Sequence, residues 1–138
     1  MKILQVFDIF SPHTNGTVTV LYQLSKTLMQ RGHKVAIYTS DFKFNQKYIN
    51  SLQGVKVYPF HLWSNLFAFY LTPNIVKEAK EKLKDFNIIH MHAYRSFQNI
   101  IIHHYAKKYG IPYVVDAHGS IPRTVGVLGM RCYRWARA

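Results

Sequence analysis

Apolar residues fall in short blocks whose spacing alternates between that of a buried strand and that of an amphipathic helix. Residues 2–7 form a near-continuous β-favouring run, as expected of a strand covered on both faces of a parallel sheet. Val18, Leu21, Leu24, Leu28 and Met29 recur at helical spacing, and Arg31-Gly32-His33 closes that helix. A second strand is predicted over 35–39, a polar, Lys-bearing loop with a short helix over 41–53, and a third strand over 55–58, closed by Pro59. The aromatic-rich segment 62–71 (Trp63, Phe67, Phe69, Tyr70) is predicted as a helix ending before Pro73. A charged helix over 74–86, a strand over 88–91, a helix over 96–109 closed by Gly110, and a fifth strand over 112–116 complete the pattern.

Strands alternating with helices predict an α/β fold, a doubly wound parallel sheet of five or more strands in the order 3-2-1-4-5. The order reverses between strands one and four. The loops at 8–16, 92–96 and 116–124 should therefore converge on one crevice at the carboxyl ends of the strands. No repeat or low-complexity linker interrupts the chain, and residues 1–138 are expected to be one domain.

Composition narrows the class. The 138 residues are 49% hydrophobic and 17% charged, which is globular rather than disordered. One cysteine, Cys132, permits no internal disulfide and favours a reducing compartment. The apolar segment 62–71 is about half the length a bilayer-spanning helix requires, and Met1-Lys2 leads straight into the first strand without a signal peptide. The net charge of +12 favours anionic partners. Nucleic acid is set aside, because no binding motif is present and the aromatics do not alternate with Lys or Arg.

The loop after strand one lacks both G-x-G-x-x-G and the lysine of a P-loop, which argues against nicotinamide and P-loop ligands. Asn15-Gly16 still opens a helix, so it serves either as a turn and cap or as an anion site. His118, beside Gly119 after strand five, is either a ligand contact or a turn-capping residue. His90 and His92 share a strand face and lie near His13 and His118, but with no cysteine and few carboxylates a metal site is disfavoured. Lys77, Lys80, Lys82 and Lys84, interleaved with Glu78 and Glu81, read as a solvated helix face. The aromatic segment either packs on the sheet or lies at a membrane interface.

Together these pieces resemble the N-terminal domain of family 4 glycosyltransferases, whose GT-B fold pairs two Rossmann-like domains. The resemblance rests on Pro12, Asn15-Gly16, Leu24, Leu28, Arg31-Gly32-His33, Val35 and Ile37, on 87–92 (NIIHMH), and on 110–119 (GIPYVVDAHG). It implies half of a GT-B fold, incomplete at its end and without the donor-binding C-terminal domain. It implies a retaining, hexosyltransferase-like transfer of a sugar from a nucleoside-diphosphate donor, with the isolated chain not competent. His118 would be catalytic, Asn15, Gly16 and Gly119 would bind the donor diphosphate, and Tyr94, Arg95, Arg123 and His13 would contact a carbohydrate or lipid-linked acceptor. No cofactor or metal is required. The other reading is a non-catalytic acceptor-binding or membrane-recruiting subunit that needs a separate donor-binding chain. The expected location is cytoplasmic, peripheral at the inner face of an anionic membrane.

Overall fold

A computed structural model describes residues 1–12 and 14–118. Five strands form one parallel sheet: β1 (Lys2–Val6), β2 (Lys34–Ser40), β3 (Lys56–Phe60), β6 (Ile88–His92) and β7 (Tyr113–Asp116), in the order β3-β2-β1-β6-β7. This is the predicted 3-2-1-4-5 order, because the two remaining strands lie outside the main sheet. They are β4 (Ser64–Leu66) and β5 (Phe69–Leu71), paired antiparallel as a hairpin. The helix predicted over 62–71 is thus corrected to a hairpin. Its aromatic and β-favouring residues gain more from cross-strand pairing than from a helical turn.

The side chains of β1 alternate between the two faces of the sheet. Leu4 and Val6 join Tyr38, Ile89 and Met91 in a core capped by Ile75, Ala79 and Leu83 of α3 (Asn74–Lys82) and the short 3-10 turn after it, and by Ile102 and Ala106 of α4 (Phe97–Tyr109). On the other face, Phe7 and Ile37 pack with Phe10, Leu52, and Val18 and Leu21 of α1 (Gly16–Gln30). Truncating a fully buried Leu or Ile in either layer costs about 2–5 kcal/mol. The buried stripe of α1 is Val18, Leu21 and Ser25, while Leu24, Leu28 and Met29 are only half-buried. A short helix, α2 (Gln46–Asn50), follows β2 as predicted.

Local signals end the helices where the sequence places them. Gly32, at φ 84°, follows α1, with Gly32 N–H donating to Met29 O and His33 N–H to Leu28 O, the paired bonds of a Schellman cap. Gly110 does the same work after α4 at φ 66°. Asn15 and Ser96 cap the starts of α1 and α4, accepting from Val18 N–H and Asn99 N–H at 3.0 and 3.1 Å. The loops after β1, β6 and β7 all leave from the same edge of the sheet.

Candidate functional site

The six non-glycine residues with positive φ among the described residues all lie beyond strand ends at this edge or in the hairpin. They are Lys43, Phe67, Ala68, Ala93, Arg95 and His118. Such conformations cost free energy and persist where surrounding structure holds them, commonly at binding sites. At the loop after β6, Asn99 of α4 supplies that hold. Its Nδ2 donates to the carbonyls of both His92 and Ala93 at 2.9 Å. Ala93 N–H in turn donates to Asp116 O at 2.8 Å, tying the ends of β6 and β7 together. Ala93 also packs into the Phe7–Phe10 cluster, which joins the loops after β1 and β6.

His118 is the centre of the arrangement. Its Nε2 lies 2.9 Å from His92 Nδ1 and 3.5 Å from Asp116 Oδ2, and its main-chain N–H donates to Asp116 Oδ1 at 3.2 Å. His92 is buried, and its Nε2 lies 2.6 Å from Gln5 Oε1 in the middle of β1. Residue parity explains the meeting: Gln5, His90 and His92 all point to the α1 side of the sheet.

The protons follow from the partners. An amide oxygen only accepts, so His92 Nε2 carries the hydrogen. Burial, reinforced by the neighbouring His90 and His118, lowers the His92 pKa to about 3, so the ring is neutral and its Nδ1 is a bare acceptor. His118 Nε2 must then be the donor, facing two acceptors. Its remaining nitrogen, Nδ1, is left for a ligand. The chain Gln5–His92–His118 fixes the tautomer of the outermost ring from inside the sheet.

His90 stacks 4.0 Å from His92, and its pKa is also lowered by burial. These imidazoles do not converge as ligands, since both nitrogens of His92 are committed. Among the described residues no group of three or more His, Cys, Asp or Glu is placed to hold a metal ion.

Asp8, at the end of β1, is a site residue that sequence reasoning treated only as the start of a loop. Its carbonyl accepts from Ser40 Oγ and from Ser40 N–H, and burial raises its carboxyl pKa to about 6. A carboxyl so perturbed in a crevice is a candidate for holding a hydroxyl. The sequence signal was an acidic residue directly after a buried strand. Gln5 was missed altogether, because a single polar residue inside an apolar run carries no pattern.

The other predicted residues fall as follows. Asn15 uses its side-chain oxygen as the cap of α1, so only main-chain groups there remain for an anion. Gly16 is the first residue of α1, and a Cβ added to it would meet nothing within 4 Å. Packing does not demand glycine here. Tyr94 and Arg95 lie just past His92, with the guanidinium 5.4 Å over the Tyr94 ring. His13, Gly119 and Arg123 lie outside the described residues, as does the arginine-bearing tail from residue 121.

A doubly wound sheet with three loops gathered at its carboxyl edge and a histidine held at the end of the last strand defines a sugar-transferase half-fold, and comparison with known proteins agrees. The sequence model of Glycosyltransferase Family 4 matches residues 14–138, and the chain belongs to that family. The catalytic-complex component of Homo sapiens named for phosphatidylinositol N-acetylglucosaminyltransferase is 46% identical over 58 residues, covering 41% of this chain and 12% of that protein. The Arabidopsis thaliana protein of the same name is 29% identical over 97 residues, covering 67% of this chain and 22% of the relative. The chain thus spans less than a quarter of the length of these relatives. The crystal structure of Acinetobacter baumannii MurG aligns with a TM-score of 0.54 at 14% identity, over 83% of this chain and 33% of that one. That likeness concerns the fold, half of the GT-B architecture.

Proposed function

We propose that this chain is the acceptor-side domain of a retaining glycosyltransferase that moves a sugar from a nucleoside-diphosphate donor to a lipid-linked or carbohydrate acceptor. The observation that carries the reading is the His118 ring, held by His92 and Asp116 where three loops meet. With Nε2–H directed inward, Nδ1 accepts a hydrogen bond from the transferred sugar as charge develops at its anomeric carbon. Gly16, Asn15 and Gly119 line the diphosphate, and the amino end of α1 offsets part of its charge, so that no metal is needed. Tyr94, Arg95, Arg123 and His13 contact the acceptor, and Asp8 holds one of its hydroxyls.

The relatives' name couples phosphatidylinositol with N-acetylglucosaminyl transfer, and we extend that pairing to this chain. The nucleotide is held by a second Rossmann-like domain, in the same polypeptide or in a partner. A lipid-linked acceptor calls for a peripheral protein at a cytoplasmic membrane face. Among the described residues, no helix is long and apolar enough to cross a membrane.

The test is transfer of labelled N-acetylglucosamine from its uridine diphosphate to phosphatidylinositol, by the chain alone and with a donor-binding half supplied. Transfer only in the second case, lost about a hundredfold or more in His118→Ala, is the expected result. Equal transfer with His118→Ala refutes the catalytic role. Acceptor binding without transfer under either condition identifies a non-catalytic component instead.

A further inference from the structure

The turn joining β4 to β5 is built from residues ill suited to it. Leu66 pairs with Phe69, so the loop is Phe67 and Ala68 alone, at φ 50° and 60°. Two-residue turns with both φ positive favour Asn-Gly or Asp-Gly, because a Cβ is crowded in the left-handed region. Here the first position carries a phenyl ring that is 96% exposed, beside Trp63 at 77% and Leu66 at 63%. Single exposed apolar residues are ordinary, but three on one projecting turn form a patch that needs a partner.

The base of the hairpin is firmly mounted. Tyr70 is buried against Phe42 at 5.1 Å between ring centres, and Phe69 meets Phe97 edge-on at 6.2 Å. Trp63 N–H donates to Leu71 O, and Leu62 N–H donates to the Asp41 carboxylate, each at 2.8 Å. Cations flank this mount. Lys43 Nζ lies 5.5 Å from the Phe42 ring, and Arg95 sits two residues before Phe97.

We propose that the β4–β5 hairpin is a membrane-insertion element for an anionic lipid surface. Phe67 and Leu66 enter the acyl boundary, Trp63 sits at head-group level, and Lys43 and Arg95 meet lipid phosphates. The +12 charge selects this occupant over a second copy of the chain, which would carry the same charge and repel. The proposal deepens the membrane-facing reading above and rests on it.

The chain has two tryptophans, Trp63 and Trp135, so Trp135→Phe leaves Trp63 as the only reporter. This protein is titrated with vesicles of phosphatidylcholine alone and of phosphatidylcholine with phosphatidylglycerol. The expected result is binding to the anionic vesicles, with a blue shift of Trp63 and quenching by brominated acyl chains. Adding Phe67→Asn with Ala68→Gly installs the preferred turn sequence, which keeps the hairpin while deleting the ring. That variant should bind about tenfold or more weakly, with unchanged circular dichroism. If it binds anionic vesicles as tightly and Trp63 is not quenched, the hairpin assignment fails while the membrane reading stands. If the parent protein binds neither vesicle, both fail. A lipid-free dimer that the turn variant dissociates would overturn the proposal in favour of self-association.

Discussion

His92 Nδ1 lies 2.9 Å from His118 Nε2, and with His92 neutral the hydrogen between them belongs to His118. Nitrogen-15 spectra of the histidines should show His92 protonated on Nε2 only and without titration from neutral pH down to about 4. His92→Phe keeps the ring volume but removes both hydrogen bonds, so His118 loses its fixed tautomer and orientation. In the complete transferase we expect kcat to fall about tenfold to a hundredfold with little change in KM. A His92 protonated on Nδ1 in the parent protein would reverse the proton assignment.

Gln5 is buried and donates nothing among the described residues, but its oxygen satisfies His92 Nε2–H. Gln5→Leu leaves that N–H buried without a partner and should cost about 1–3 kcal/mol in urea unfolding. Gln5→Glu keeps an acceptor and adds negative charge, so the His92 pKa should rise, and its ring should begin to titrate in the spectra. Gln5→Leu with full stability and an unchanged His118 tautomer would show that the contact is idle.

Two buried groups make opposite demands on pH. His92 falls from its usual 6.5 to about 3 on folding, so its contribution is complete above pH 6.5 and is lost as pH falls towards 3. Asp8 rises from 3.8 to about 6, so its contribution is present below pH 3.8 and is lost as pH rises through 6. Between those limits the two slopes oppose each other, one proton each. His90, lowered by burial, adds to the loss in acid. Asp8→Asn removes the opposing proton, and acid sensitivity in this window should steepen by about 1.4 kcal/mol per pH unit. Urea midpoints across the window measure it, and parallel curves for the two proteins would mean that folded Asp8 stays ionised.

Asn15 and Gly16 are adjacent but should fail in different ways. Asn15→Ala removes the cap of α1 and should cost about 1 kcal/mol, which Asn15→Ser largely restores. Gly16→Ala places its methyl in open space and should leave stability unchanged or slightly raised. If Gly16 gives the diphosphate room, the same substitution raises the donor KM in the complete transferase. An unchanged KM would remove Gly16 from the site.

The sheet order was legible because hydrophobic spacing is a local property, as at Val18, Leu21 and the paired glycine stops Gly32 and Gly110. The hairpin was not legible. Residues 62–71 carry no Asn-Gly or Asp-Gly to announce a turn, and the one they have is made by Phe67 and Ala68 under strain. Only its mounting on Phe42 and Phe97, distant in sequence, makes that conformation hold.

His118 and its neighbours divide along the same line. The sequence by itself determined that His92 and His118 end two strands of one parallel sheet, because strand periodicity and stop signals are written locally. It determined too that Asn15-Gly16 opens a helix at the same edge. Only the tertiary structure decided that Gln5, 87 residues from His92, faces it across β1 and β6. Strand register is set by packing over the whole sheet, and register alone brings an amide, two imidazoles and a carboxylate into one hydrogen-bonded line.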